Sequence, residues 1–471
     1  MAVGNTEEVR QLVADVLDAQ WRTERDKLDR LDRWYSWEQD DFKIPRTATP
    51  EMTALLQLAK TPWLRLVVGV VSQSLHVDGY RSPRREGSPP AWDAWQRNDF
   101  DARQVAIHRD ALKYGYDYVV VLPGDTGAAM RGMSPRRLQA YYEEPERDEF
   151  PLCALQRDPH PRGGEVVRVY DDEFVYKLHH DTHLDRWTVL EDEILYHGLG
   201  VCPVVRYSNQ MDLEGRHVGE VEPYISMAQR INKTVYDRLL TQHFNSWKVR
   251  TIAGMAAPDT EEDAIRAALE LRRQDLLISD DPDTKFGTLP ESPLDGFIRA
   301  TQEDIQTLAA VSQTPAHALT GDLVNLSADA LAAARSELDH KIAERKLSFG
   351  KSHDQMLRLV AYVEGDTEGA EDFEAHVTWQ DSTVRSFSQA ADALGKIAAQ
   401  LEVPPKALWS MIPGVSQLDL EEWDRLAEEL KEQKMEEARL IAEQGPGADV
   451  RAQGQQAAAD QAAVEREQPE E

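Results

Sequence analysis

Four residues with metal-ligand chemistry, His179, His180, Asp181 and His183, stand together in the sequence. Imidazole and carboxylate suit a divalent ion, but a structural site needs four converging donors. This cluster occupies what reads as a turn between two strands, with no second cluster to complete it, so a solvated hairpin turn is expected. His108-Arg109-Asp110 matches the opening of a kinase catalytic loop. The asparagine that loop requires downstream is missing, however, and the surrounding period is helical. Phe349-Gly350-Lys351-Ser352 imitates the end of a phosphate-binding loop, yet the first glycine would fall at Arg345 and the segment lies within a helix rather than after a strand. With no nucleophile elbow, no paired-carboxylate motif in context and no glycine-rich dinucleotide loop, the expectation is a non-enzymatic chain without metal or cofactor.

A last chemical feature is electrostatic. Arg230, Lys233, Arg238, Lys248 and Arg250 face a single nearby acid, Asp237, in a chain of formal charge −31 with 84 acidic and 53 basic residues. Such a local basic zone can follow phosphates, since sequence-independent DNA contact is chiefly electrostatic. It can equally pair with acids on a neighbouring element. The overall acidity argues against wrapping of nucleic acid by the whole surface. Cys153 and Cys202 are the only cysteines, so no disulfide framework or thiolate metal site is expected, and both read as buried thiols of a protein made in a reducing cytoplasm. Met1 to Arg10 lacks a signal pattern, and the most apolar run, Trp63 to Val71, is short and contains Arg65. A soluble protein that is not exported and does not enter a membrane is expected.

The elements that position these residues centre on Leu294 to Val363. Leu294, Phe297, Ile298, Ile305 and Leu308 recur at three or four residues and predict a helix, with Ser292 as its cap and Pro293 at its first position. Gln313-Thr314-Pro315 breaks it, and a loop through Gly321 to Asn325 comes next. Ser327 then caps one very long helix whose stripe is Leu331, Ala334, Leu338, Ile342, Phe349, Met356, Val360 and Val363. So long a helix needs neighbours along its whole length. Pro223 starts a third helix carrying Tyr224, Met227, Ile231, Val235 and Leu239. Between the helices lies a compact insert, read as strand Val249 to Ile252, helix Thr260 to Arg273, strand Asp275 to Ser279 and a turn at Asp281-Pro282. The helices on either side of it can therefore return side by side.

Upstream, Thr6 to Trp37 is helical in period, with Leu12, Val16, Leu28 and Leu31 as its apolar positions. Thr61-Pro62 opens a buried helix, Asp101 caps another that runs to Tyr114, and Tyr116 to Leu122 is a strand. From Cys153 to Tyr207 the pattern is antiparallel β, with strands at Val166 to Tyr170, Glu173 to Leu178, Trp187 to Leu190 and Val204 to Tyr207. Downstream come a strand around Phe373 to Trp379, a helix through Ala390 to Ala398, a Pro404-Pro405 break and a charged helix from Leu418 to Ile441. Beyond Gly445 the composition predicts a disordered tail.

The order of these parts resembles the portal proteins of tailed bacteriophages, most closely the long-tailed type of actinobacterial phages. The resemblance runs from about Trp63 to Trp423. It is carried by Thr61-Pro62-Trp63-Leu64-Arg65-Leu66-Val67-Val68, Val77-Asp78-Gly79-Tyr80-Arg81, the Tyr114 to Gly124 run, Gln229-Arg230-Ile231-Asn232-Lys233-Thr234, and the segment from Thr314-Pro315 to Leu331. It implies an α+β, mainly helical portal fold with an antiparallel-sheet wing, long stem helices, a small α/β clip and a helical crown. Mapped onto this chain, residues 1–219 are the N-terminal arm and wing, 220–250 and 292–312 the stem helices, and 251–291 the clip. Residues 313–326 are the tunnel loop, 327–384 the long helix and wing completion, 385–443 the crown and 444–471 the tail.

The resemblance further implies a ring of about twelve subunits at one vertex of the virion capsid, assembled in the host cytoplasm. Double-stranded DNA is packaged and ejected through it. The implied partners are the terminase large subunit, the major capsid and scaffolding proteins and a head-tail connector protein. Lys233, Arg238, Thr320, Asp322 and Asn325 are the residues it places by region along the channel. The rival expectations are another virion structural protein, such as a scaffold or minor capsid component, and a nucleic-acid enzyme whose site leaves no motif.

Overall fold

The computed structural model describes residues 6–44, 48–85, 87, 89–160, 164–181, 186–246, 250–253, 285–288, 292–321, 328–380, 387–412, 415 and 417–443. It divides into two units, residues 1–76 with 89–376, and residues 77–88 with 377–471.

The first unit opens with α1 (Thr6–Leu12), a π-helical turn (Val13–Leu17) and α2 (Asp18–Tyr35). Val9, Val13, Leu17 and Trp21 are buried, whereas the predicted Val16 is 44% exposed. The wider π turn shifts the side-chain register of the helix around it. The buried stripe upstream of Trp21 therefore differs from the one expected, while Leu28 and Leu31 are buried as expected. An unforeseen helix, α3 (Pro50–Ala59), is capped by the Thr49 hydroxyl, which accepts from Met52 N at 3.4 Å. The apolar run Pro50–Ser72 is long enough to cross a membrane by composition alone. It is broken at Lys60–Pro62, however, and α3 and α4 (Trp63–Ser72) are each 10 residues, about 15 Å against a hydrocarbon core of roughly 30 Å.

After α5 (Pro90–Arg97), α6 (Phe100–Tyr114) begins earlier than expected. Asp101 does not cap it: the cap position is Asp99, and Asp101 lies within the first turn, where its carboxylate accepts from the Trp95 indole at 2.7 Å. Two antiparallel sheets follow. In the first, β2 (Tyr116–Gly124) lies between β10 (Val204–Ser208) and β3 (Gly127–Met133), with Val120 opposite both Val204 and Arg131. The second has the order β4 (Leu138–Tyr141), β5 (Cys153–Pro159), β6 (Glu165–Tyr170), β7 (Phe174–Asp181), β8 (Arg186–Val189), and β9 (Leu195–Tyr196) also pairs with β7. One core packs Val9, Val13, Leu17 and Trp21 against Leu155, Val167, Val169 and Trp187, and another joins the two sheets through Tyr118, Val120, Tyr170 and Val204. Both cysteines are buried free thiols.

His179, His180 and Asp181 lie in strand β7 and not in a turn. His180 stacks on Trp187 with ring centroids 4.0 Å apart, and His183 falls outside the described residues. The helices expected around residues 223–363 are α7 (Ile225–Asn245), α8 (Asp295–Val311) and α10 (Ala328–Val363), the last of 36 residues, about 54 Å. It passes through Gly350 unbroken. Ser292 and Pro293 precede α8, whose cap position is Leu294 with no side-chain cap. The segment after it is not all loop, since Ala316–Thr320 form a short helix, α9, closed by Gly321 in the left-handed conformation. In the insert, β11 (Arg250–Ala253) pairs with an unforeseen β12 (Lys285–Thr288). The helix and strand expected between them, and the tail after Gly445, lie outside the described residues. A short α11 (Thr367–Ala370) comes after α10.

The second unit pairs β1 (Val77–Arg81) with β13 (His376–Trp379), joined by the Thr378 hydroxyl donating to Asp78 at 2.9 Å. It continues with α12 (Phe387–Leu401), α13 (Pro405–Leu408) and α14 (Gln417–Glu443). Trp409 and Trp423 meet edge to face at 5.9 Å.

Candidate channel segment and its anchorage

Helices α7 and α8 pair in opposite directions. Tyr224 reaches the Val311 carbonyl at 3.4 Å, Arg230 pairs with Asp304 at 2.9 Å, and Asn245 brackets Ser292, donating to its carbonyl at 2.9 Å and accepting from its N–H at 3.4 Å. The Asn245 side chain thus closes the end of the pair where the chain leaves for the insert. Its outer flank is covered by α3, with Leu56, Ala59 and Tyr236 at the core of that contact.

Two stretches far apart in the sequence meet here. Asn232 is buried, donates to Gln39 Oε1 at 2.6 Å and accepts from Thr61 N at 3.3 Å. The Gln229–Thr234 run and the Thr61-Pro62 helix start, read separately in the sequence, are therefore one contact. A second close approach lies at the entry to α7. Gly115 (φ 100°) and Gly219 pack so tightly that a Cβ on Gly219 would lie 2.6 Å from Gly115 N. Only glycine permits this approach, and it brings Glu220 N to within 2.6 Å of the Leu112 carbonyl.

Glu220 is the centre of a buried ionic node. Its carboxylate accepts from Lys341 Nζ at 2.6 Å and from Arg345 at 3.2 Å, and all three side chains are 3–4% exposed. Lys341 also donates to the Ser312 carbonyl at 2.8 Å. One ammonium on α10 therefore holds the start of α7 and the end of α8. Burial lowers the Lys341 pKa from its ordinary value, and the Glu220 carboxylate opposes that shift. Directly after Ser312 the chain turns through Gln313, in the left-handed region at φ 52°. The Glu220–Lys341–Arg345 node leaves no mark in the sequence, because its partners are 121 and 125 residues apart.

Lys233 and Arg238 both lie on α7. Lys233, 47% exposed, pairs with Asp237 one turn on and lies over the Tyr236 and Phe42 rings at 5.7 and 5.9 Å. Arg238 is half-buried and forms no ion pair among the described residues. The basic zone faces two acids rather than one, since Asp304 comes from α8 to Arg230. Thr320 is exposed at the end of α9, its hydroxyl donating to the Ala316 carbonyl at 3.1 Å. Asp322 and Asn325 lie outside the described residues.

The kinase-like and phosphate-loop imitations are core structure. His108 Nδ1 meets the Leu75 carbonyl at 3.2 Å, its Nε2 lies 2.8 Å from His353 Nε2, and His353 Nδ1 lies 2.9 Å from Tyr207 Oη. Ser352 donates to the Arg206 carbonyl at 2.9 Å from mid-helix. Among the described residues no group of three His, Cys, Asp or Glu side chains is placed to hold a metal ion.

The family model for the phage portal protein, SPP1 Gp6-like, matches residues 14–436. The portal protein of Mycobacterium phage D29 is 24% identical over 387 residues, 77% of each chain. The portal protein of Mycobacterium phage L5 is 24% identical over 414 residues, 84% of each chain. A match spanning α7, α8, α10 and both of these sheets goes well beyond any single motif: this chain belongs to the SPP1 Gp6-like family of phage portal proteins.

Proposed function

We propose that about twelve copies of this chain close into a ring at one capsid vertex and that double-stranded DNA enters and leaves through its centre. Portal-family membership makes the chain a structural, non-enzymatic component of the virion capsid that works as an oligomeric ring. The scaffold and minor-capsid alternatives give way to it. The observation that supports the channel reading most strongly is the pairing of α7 with α8, tied at one end by Asn245 and anchored at the other in the Glu220–Lys341–Arg345 node.

In this reading α7 and α8 are the stem, residues 251–291 the clip, residues 313–326 the tunnel loop and residues 385–443 the crown. Lys233, Arg238, Thr320, Asp322 and Asn325 lie along the DNA path. With a formal charge of −31 on every copy, the ring repels the phosphate backbone overall, so DNA slides past sparse local cations instead of binding tightly. A separate terminase motor supplies the work and docks at the clip, a head-tail connector protein replaces it there, and the major capsid and scaffolding proteins surround the wing. Charge reversal at Lys233 and Arg238 tests the path: slower packaging by assembled rings supports it, and an unchanged rate removes those two residues from it.

A further inference from the structure

A cleft of about 600 Å³ opens between the N-terminal helix and the wing. Its floor carries Tyr116, Tyr118, Tyr141 and Tyr142, and its apolar lip includes Val16, 44% exposed, and Leu152, 39% exposed. The π turn accounts for the lip on the helix side. It sends Val13 and Leu17 into the sheet core and leaves Val16 facing the opening, which the edges of Leu12 and Leu17 also line. A single-turn π insertion of this kind often marks a functional site.

Just beneath the cleft surface two polar atoms, on residues that line it, are buried without a hydrogen-bond partner: Gln139 Nε2, on a residue only 5% exposed, and Tyr142 Oη. Buried polar groups are normally satisfied. Both of these can donate. The acceptor on the helix wall is already in use, since Glu24 accepts from Tyr116 Oη at 2.8 Å. The rim carries three cations, Lys27, Arg206 and Arg216. Lys27 and Arg216 share one acid, Glu222, at 3.2 and 3.5 Å, while Arg206 lies 4.0 Å from the Tyr142 ring centroid and donates to the Pro145 carbonyl. In a chain of charge −31 this is a donor-rich, locally cationic opening over an apolar floor.

We infer that the cleft is a docking site for a partner polypeptide, which inserts a bulky apolar side chain beside a carboxylate. The apolar side chain would cover the tyrosine floor. The carboxylate would meet the Arg206 edge of the rim, and a small outward turn of the Gln139 amide and the Tyr142 ring would bring their donors to neighbouring main-chain carbonyls of the partner. This assignment does not depend on the portal ring or on the DNA path.

The test is to pan a random heptapeptide display library on the assembled protein, with counter-selection on the Val16→Asp and Leu152→Asp variants. Both residues are part-exposed, and circular dichroism melts of each variant check that it folds. The expected result is enrichment of sequences pairing a large apolar residue with Asp or Glu. A synthetic peptide of that consensus should bind at least tenfold more weakly to either variant, and severalfold more weakly to Arg206→Ala. No enrichment over the variants, or a consensus without an acidic residue, overturns the proposal. So does hydrogen exchange showing the cleft closing on ring assembly alone, which would make the occupant a second copy of this chain.

Discussion

Lys341 Nζ donates to the Ser312 carbonyl at 2.8 Å across 29 residues of sequence, with both residues buried. The same ammonium binds Glu220 at 2.6 Å, so α10 holds both ends of the segment that forms the α7–α8 pair. Removing one partner of a buried ion pair strands the other charge and costs about 3–5 kcal/mol. Lys341→Met is therefore expected to lower unfolding free energy by about that much, read by chemical denaturation of the unassembled subunit. Adding Glu220→Gln should deepen the loss, because it takes the carboxylate from the buried Arg345 guanidinium as well. A Lys341→Met variant as stable as the parent would show that Arg345 alone satisfies Glu220.

Gly115 and Gly219 offer a sharper steric test. Gly115→Ala adds a Cβ 3.0 Å from the Gly219 backbone nitrogen at a φ of 100°, a conformation that L residues avoid. It should destabilise the first unit by roughly 2 kcal/mol or more, measured as a fall in melting temperature. Gly395→Ala, where a Cβ meets nothing within 4 Å in a helix, should be neutral or slightly stabilising.

The His108–His353–Tyr207 chain predicts an acid limit. Burial pushes the His108 pKa from 6.5 down to about 4 and also holds His353 well below its ordinary value. Between pH 6.5 and about 4 the unfolded chain binds protons that the folded chain refuses. Stability from these rings is thus complete above pH 6.5 and is lost as pH falls toward 4. A midpoint-denaturant series across this range should show that decline, and His108→Gln should flatten part of it. A parent curve that is flat from pH 7 to pH 4 would contradict the burial of neutral rings.

Arg230 and Asp304 test how much the exposed ion pair between α7 and α8 contributes. Arg230 is 53% exposed, so Arg230→Ala should cost only about 0.2–1 kcal/mol. Asn245→Ala, which removes the bracket on Ser292, should instead speed amide exchange at Ser292 and the start of α8 without moving the global melt.

Much of this fold is legible in the sequence, and the misses have physical causes. The long helices α7, α8 and α10 are marked by apolar residues at helical spacing, and α10 runs through Gly350 because packing on both sides outweighs one glycine's weak helix propensity. Strand β3, by contrast, reads Gly-Ala-Ala-Met-Arg-Gly-Met, a composition with little β preference. It forms because its register with β2 places Ala128 and Met130 in the interior. The N-terminal stripe escapes a periodicity argument because that argument assumes an α-helix throughout, and the π turn breaks the assumption. The anchorage of the α7–α8 pair is illegible for another reason: Glu220, Lys341 and Arg345 look like ordinary surface charges until the fold buries them together.

The central claim is a closed ring with a hole that passes duplex DNA. Electron microscopy and native mass measurement of the purified full chain test it most directly. A single closed ring of about twelve copies is expected, with its central opening wide enough for a DNA duplex. A chain that stays monomeric and folded at high concentration, or assembles without such an opening, contradicts it.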